Sequence, residues 1–262
     1  MPYASLRGQE IFYEDSGGDG PAIVFSHGLL MDHEMFAPQV AALRARYRCI
    51  AWDERGHGRT AGEHIAPFSY YDSADDLAAL LQLLGIKRAV LAGMSQGGYL
   101  SLRCALTHPD LVQALILIDT QALPEDPQKM PGYKAMLEQW AAEGLSDATA
   151  GIIEHIILGD GWEGAAAWKA KWKQVQPHNL LASFTTLGSR DDISERIASI
   201  HVPALVIHGD QDVAIELDRA RQMAQTLPDA QLVVVSGGGH ASNLTHADVV
   251  TPAIVKFLDR LQ

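Results

Sequence analysis

Six apolar runs of strand length recur along the chain, with helical patterns between them. They are "AIVFS" at 22–26, "RCIAWD" at 48–53, "AVLAGM" at 89–94, "ALILID" at 114–119, "ALVIHG" at 204–209 and "LVVVS" at 232–236. Unbroken Val, Ile and Leu suit strands buried on both faces. Their alternation with helices predicts an α/β fold, a mostly parallel sheet flanked by helices. The helical patterns fall near 35–45, 72–84, 97–107, 214–226 and 246–260, with Asp72 expected as an N-cap and Gly85 as a C-cap. Ahead of them, "YASLRGQEIFYEDSG" reads as a β-hairpin turning at Arg7-Gly8.

The rhythm breaks between 121 and 192. This stretch opens with "LPEDPQKMPGY" and continues as several helices without a convincing buried strand. It holds Trp140, Trp162, Trp168 and Trp172, four of the five tryptophans. The interruption falls just after the carboxyl end of a strand, where α/β sites form. It is therefore expected to be a helical cap insertion over the sheet edge, with 1–120 and 193–262 forming the core. A second helical layer packed on that core is the alternative.

Composition narrows the picture. The chain has 262 residues, 47% of them hydrophobic, enough for one large α/β domain with a sizeable core. A net charge of −12 disfavours nucleic acid and anionic lipid as partners. The one basic cluster, Lys169 to Lys173, reads as a solvated helix face more readily than as a docking patch. No apolar stretch reaches the roughly 18 residues of a membrane span, and the first residues carry no secretion-type apolar region. Cys49 and Cys104 are too few for a disulfide framework and are expected to be buried as small apolar residues, with the cytoplasm as the expected location.

Candidate chemistry begins at Gly93-Met94-Ser95-Gln96-Gly97, a G-x-S-x-G pentapeptide between a strand and a helix. A serine on so sharp a turn presses its flanking residues against neighbouring backbone, where only glycine lacks the Cβ that would clash. Gly98 extends that relief. The hydroxyl needs a base to take its proton, and the base needs an acid to hold its tautomer. Downstream, "VIHGDQDVAI" supplies carboxylates after one strand and "VVVSGGGHASN" supplies His240 after the next, at the same sheet edge as Ser95. Asp212 is expected as the acid, with Asp210 forming the turn. His27, His57 and His208 lie in turns beside glycine as expected structural hydrogen-bonders, while His33, His155 and His178 are left open. Oxyanion donors are expected from the backbone N–H groups of Gln96 and Leu29, with Gly28 allowing close approach. Gly28, Trp140 and Trp162 are the candidates for the substrate pocket. No metal or organic cofactor is implied: no His/Asp/Glu cluster has ligand spacing, and Gly237–Gly239 is too short for a phosphate loop.

With these residues in place the chain resembles the α/β-hydrolase fold superfamily, most of all its serine esterases and enol-lactone hydrolases, over nearly its full length. "FSHGLL" is similar to the family's oxyanion loop, "WDERGHGRT" to its D-x-R-G-x-G-x-S/T turn and "GMSQGG" to its nucleophile elbow. "VPALVIHGDQD" is similar to the acid strand, and "GGGH" to the histidine loop. Ser95 departs from epoxide hydrolases and haloalkane dehalogenases, which carry aspartate at the elbow. His27-Gly28-Leu29-Leu30 departs from the His-Gly-x-Pro of haloperoxidase relatives. The resemblance implies a Ser-His-Asp hydrolase of small-to-medium carboxylic esters or lactones. A C–C bond hydrolase or lyase on the same triad, or a small-molecule receptor of this fold, are the other readings.

Overall fold

The hairpin at the start of the chain forms as the sequence predicts. In the computed structural model, which describes residues 2–60, 62 and 65–261, β1 (Tyr3–Leu6) pairs antiparallel with β2 (Gln9–Asp15). Arg7 (φ 49°) and Gly8 (φ 79°) are both left-handed, as a two-residue turn of mirror-image type requires. The remaining strands are β3 (Ala22–Ser26), β4 (Arg48–Trp52), β5 (Ala89–Met94), β6 (Val112–Ile118), β7 (Ala204–Gly209) and β8 (Ala230–Val235). They form one eight-stranded sheet in the order β1-β2-β4-β3-β5-β6-β7-β8. β2 joins β4 antiparallel, and from β4 onward every pairing is parallel.

That order places a topological switch between β3 and β5: the chain leaves β3 for one side and β5 for the other. Ligands of open α/β sheets bind where the strand order reverses, outside the carboxyl ends. Ser26 pairs with Gly93, so the loop after β3 and the turn after β5 leave the sheet side by side.

Each central strand is buried on both faces, yet its side chains still alternate between two apolar cores. Ile23, Phe25, Val90, Ala92 and Met94 enter one, and Ala22, Val24, Ala89 and Leu91 the other. Core helices cover both faces: α1 (Ala37–Leu43), α2 (Tyr70–Leu83) and α3 (Gln96–Thr107). Between β6 and β7 come α4 (Met130–Glu143), α5 (Asp147–Ile157), α6 (Ala165–Trp172) and α7 (Pro177–Gly188). Then follow α8 (Leu217–Thr226), the short α9 (Ser242–Thr245) and α10 (Ala247–Asp259). The helices between β6 and β7 are continuous with one core, to which they contribute Leu137, Trp140, Ile153, Trp172 and Leu180.

One local expectation is corrected. The N-cap of α2 is Ser69, not Asp72: Asp72 sits one turn inside and completes a capping box, its carboxylate accepting the Ser69 N–H at 2.8 Å. A serine hidden in "APFSYYD" was overlooked because the aspartate begins the apolar periodicity. The basic run is a partly exposed face whose lysines are ion-paired. Lys169 pairs with Glu154 (2.6 Å), Lys173 with Asp147 (3.2 Å), and Lys171 with Asp32 (2.7 Å) and Glu34 (2.8 Å) on the loop after β3. Cys49 and Cys104 are free and buried, and burial pushes their thiols up to about 11 and about 12. Among the described residues no helix is long and apolar enough to cross a membrane.

Candidate active site

Ser95 links β5 to α3 with φ 53° and ψ −118°, a backbone conformation that costs on the order of 1–3 kcal/mol in a residue other than glycine. The surroundings hold it there. Its N–H donates to the Ile118 carbonyl (2.9 Å), and its own carbonyl accepts from the Thr120 hydroxyl (2.6 Å). A Cβ on Gly93 would run into the backbone of Gly97 and Gly98. One on Gly97 would run into the carbonyls of Ser26 and His27, and one on Gly98 into Thr120. The glycines are thus a condition of bringing α3 down onto the switch point.

The structure brings three scattered side chains together. His240 Nε2 lies 2.9 Å from Ser95 Oγ, and His240 Nδ1 lies 2.8 Å from Asp212 Oδ2. Asp212 Oδ1 accepts the N–H groups of Ala214 (2.8 Å) and Ile215 (2.9 Å), which fixes the carboxylate's plane. Asp210 instead accepts the Gly237 N–H (2.8 Å) and ties the two loops together. Burial pushes the Asp212 carboxyl up, but the facing imidazole and the hydrogen bonds it accepts outweigh burial and hold it below its ordinary value. For His240, burial favours the neutral ring. The charge and hydrogen bond of Asp212, with Asp119 and Glu125 beyond, outweigh it and raise the imidazole. Such an arrangement makes a hydroxyl nucleophilic and lets the ring carry its proton.

Asp119, to which the sequence reading gave no role, completes the electrostatics. It follows β6 directly, at φ 46° and wholly buried. Its Oδ1 accepts the Gly209 N–H (2.9 Å), and its Oδ2 accepts the Ser242 N–H (2.9 Å) and hydroxyl (2.6 Å). It therefore pins the end of β7 to the segment just after His240. Burial pushes its carboxyl up to about 6. The available signal was a lone acid at the end of "LILID", on the same edge as Ser95. Asp119, His208 and Asp212 are also the group among the described residues close enough to share a cation, within 4.8 Å. Both carboxylates and His208 Nε2, which donates to the Ile215 carbonyl (2.8 Å), already make hydrogen bonds there.

The loop after β3 is held from below and above. His27 Nδ1 donates to the Gly28 carbonyl (2.8 Å) and its Nε2 accepts the Glu54 N–H (3.0 Å), which fixes a neutral tautomer. Leu30 is left-handed at φ 64°, and its carbonyl accepts the indole N–H of Trp172 in α6 at 2.9 Å. Met94 and Ser95 leave no room for a side chain at Gly28. Among the described residues neither the Leu29 nor the Gln96 N–H donates a hydrogen bond within the protein. The Gln96 side chain accepts from Tyr70 (3.3 Å) and contacts Glu54, a fully buried acid that burial pushes up to about 8.

Over Ser95 lies a cavity of about 100 Å³, lined from the core by Gly28, Leu29 and His240 and from the cap by Met136, Ile153 and Phe184. A larger hollow of about 230 Å³ beyond Leu30, at His57 and Asn179, reaches neither Ser95 nor His240. Trp140 and Trp162 do not line the cavity at Ser95. α4 turns Trp140 into the shared apolar core, and the Trp162 ring folds over Gly164 beside a different hollow. Met, Ile and Phe take the places expected for them. Two arginines are buried and ion-paired, Arg55 with Asp76 (2.5 Å) and Arg190 with Glu125 (2.6 Å). His33 pairs with Asp53 (2.8 Å) and His155 with Asp160 (3.0 Å), while His57 and His178 each meet a backbone carbonyl.

Comparison with known proteins agrees with this architecture. The enol-lactonase from Burkholderia xenovorans LB400 superimposes with a TM-score of 0.90 at 29% identity, over 98% of this chain and 100% of that one. A thermophilic esterase from Thermogutta terrifontis gives 0.87 at 27% identity, over 99% and 97%. In sequence, the protein named "Putative carbamate hydrolase RutD" of Caulobacter sp. (strain K31) is 28% identical over 95% of each chain. The alpha/beta hydrolase fold family matches residues 21–151 and 159–247, and the chain belongs to that family.

Proposed function

We propose that the protein is a serine hydrolase of small carboxylic esters or lactones acting through an acyl-enzyme. In this reading Ser95 attacks the carbonyl carbon while His240 takes its proton. Asp212 holds the tautomer and stabilises the imidazolium that forms. The N–H groups of Leu29 and Gln96 receive the oxyanion, a role in which each donor contributes about 3–4 kcal/mol to the transition state. The imidazolium then protonates the leaving oxygen, and water repeats the sequence on the acyl-enzyme. Residues 121–192 serve as the lid, over a core of 1–120 and 193–262. The same reading places the protein in the cytoplasm, in keeping with its two free thiols.

The observation that carries the proposal is the unbroken chain from Asp212 through His240 to Ser95, at 2.8 and 2.9 Å. The cavity of about 100 Å³ lies well under the roughly 300 Å³ of drug-sized sites and favours short acyl or alcohol groups. The test is hydrolysis of a short p-nitrophenyl ester, a small lactone and a carbamate by wild type and Ser95→Ala. Loss of turnover by on the order of 10⁶ is expected for whichever substrate is used. Equal turnover by the two proteins ends the proposal.

A further inference from the structure

The lining of the cavity over Ser95 contains one carboxylate, and its orientation carries information about the substrate. Glu125 stands on the segment between β6 and α4 and lines the same cavity as Ser95 and His240, with Met136, Phe184, Leu187 and Ile215. Its side chain is 16% exposed. Behind it sits Arg190, 1% exposed, with Nη2 2.6 Å from Glu125 Oε1 and the guanidinium 5.0 Å from the Tyr99 ring centre. Arg190 is not part of the lining. The positive charge of the pair is therefore turned toward the protein and the acidic partner toward the substrate. A carboxylate offers about four lone-pair sites, and the contact with Arg190 occupies one oxygen.

We infer that Glu125 determines specificity at this site. It accepts a hydrogen bond from an N–H, O–H or ammonium group carried by the substrate away from the scissile carbonyl, and it turns away substrates with a carboxylate there. The inference rests on the proposed esterase reading and deepens it. Two like charges brought together in so small and partly buried a cavity repel, whereas a donor or cation in the same place gains a charge-assisted bond. Glu125 also belongs to the set of charges that raise His240, so its field reaches the reacting centre. The favoured substrate is thus a short ester, lactone or carbamate ending in a hydroxyl, amide or amine.

The experiment compares kcat/KM by proton release for short acyl esters of equal length ending in methyl, hydroxyl, ammonium or carboxylate. Wild type is expected to favour ammonium over carboxylate by about tenfold or more, and Glu125→Gln to reduce that ratio by a similar factor. Should the single variant fail to fold because Arg190 is left uncompensated, the double variant Glu125→Gln/Arg190→Met removes the pair and is expected to lose the same preference. A ratio that does not move in either variant overturns the inference. So does a wild-type preference for carboxylate that Arg190→Met abolishes, since the arginine is then the recognising group. In both cases dependence on Ser95 keeps the esterase reading intact. Hydrolysis that survives Ser95→Ala removes that reading instead.

Discussion

The sheet edge that carries Ser95, Asp212 and His240 and the cap that covers it are built by different means. At the edge, backbone meets backbone: Gly97 lies against the Ser26 carbonyl and Gly209 against that of Gly238, with no space for a Cβ at either position. The reacting groups are thereby set by strand register and by turns. The inserted helices meet the edge through one backbone bond, from the Ala241 N–H to the Ile157 carbonyl (2.9 Å), and otherwise largely through side chains. Trp172 reaches the Leu30 carbonyl, and Lys171 reaches Asp32 and Glu34. At Gly97 and Gly209 the edge has no space for an added carbon, whereas the inserted helices lean on a few long side chains and one backbone bond. Damage to the first is expected to be abrupt and damage to the second graded.

The sharpest way to break this contrast is Gly97→Val. Its added carbons cannot coexist with the Ser26 and His27 carbonyls, so α3 must lift and carry Ser95 with it. A displacement of about 1 Å at a reacting group costs on the order of a hundredfold in rate. Turnover on a short ester is expected to fall at least that far, with a lower melting temperature. Wild-type kinetics in this variant would show that the elbow yields and that close backbone contact does not set the site.

The same contrast decides what was legible in the sequence. Ser95, Asp212 and His240 were recognisable because a strand end, a turn and a glycine fix where each one lies, and those features are local in sequence. The hairpin at Arg7-Gly8 was legible for the same reason. Trp140 and Trp162 lie away from the cavity at Ser95, because an apolar ring in the sequence does not say which space receives it: Trp140 enters the core from α4, and Trp162 lies on the turn before α6. Nothing local tells Lys171 that Asp32, 139 residues away, is its partner. Asp119 was legible in principle, by its place after an apolar run, but only its hydrogen bonds to Gly209 and Ser242 distinguish it from a turn-forming acid.

A milder break tests whether the cap does more than cover the site. Trp172→Phe keeps an aromatic ring and deletes the N–H that meets the Leu30 carbonyl. Leaving the half-buried Leu30 acceptor unpaired costs at most about 1–3 kcal/mol. Leu30 is already left-handed and adjoins Leu29, so part of that cost falls on the proposed oxyanion donor. A drop in kcat of about tenfold is expected, equivalent to about 1.4 kcal/mol, with KM changed by no more than about twofold. A change in KM alone would confine Trp172 to shaping the cavity.

The smallest expected effect concerns the charge behind the triad. Catalysis by His240 as base requires the neutral ring, so activity falls as pH drops through its pKa. Because Asp212, Asp119 and Glu125 together raise that pKa, the acid limb of kcat/KM is expected above the 6.5 of an unperturbed imidazole. Burial raises the Asp119 carboxyl to about 6, and the nearby His240 imidazolium favours its ionised form. Asp119→Asn removes one negative charge that favours the imidazolium. The ring's pKa then falls, the acid limb moves to lower pH, and the variant retains a larger fraction of its own plateau activity in mild acid. The plateau itself drops, because the imidazolium formed during attack has lost the same support. A packing role alone would lower stability and leave the midpoint of the limb in place, so the midpoint, rather than the rate, separates the electrostatic part of Asp119 from its structural one.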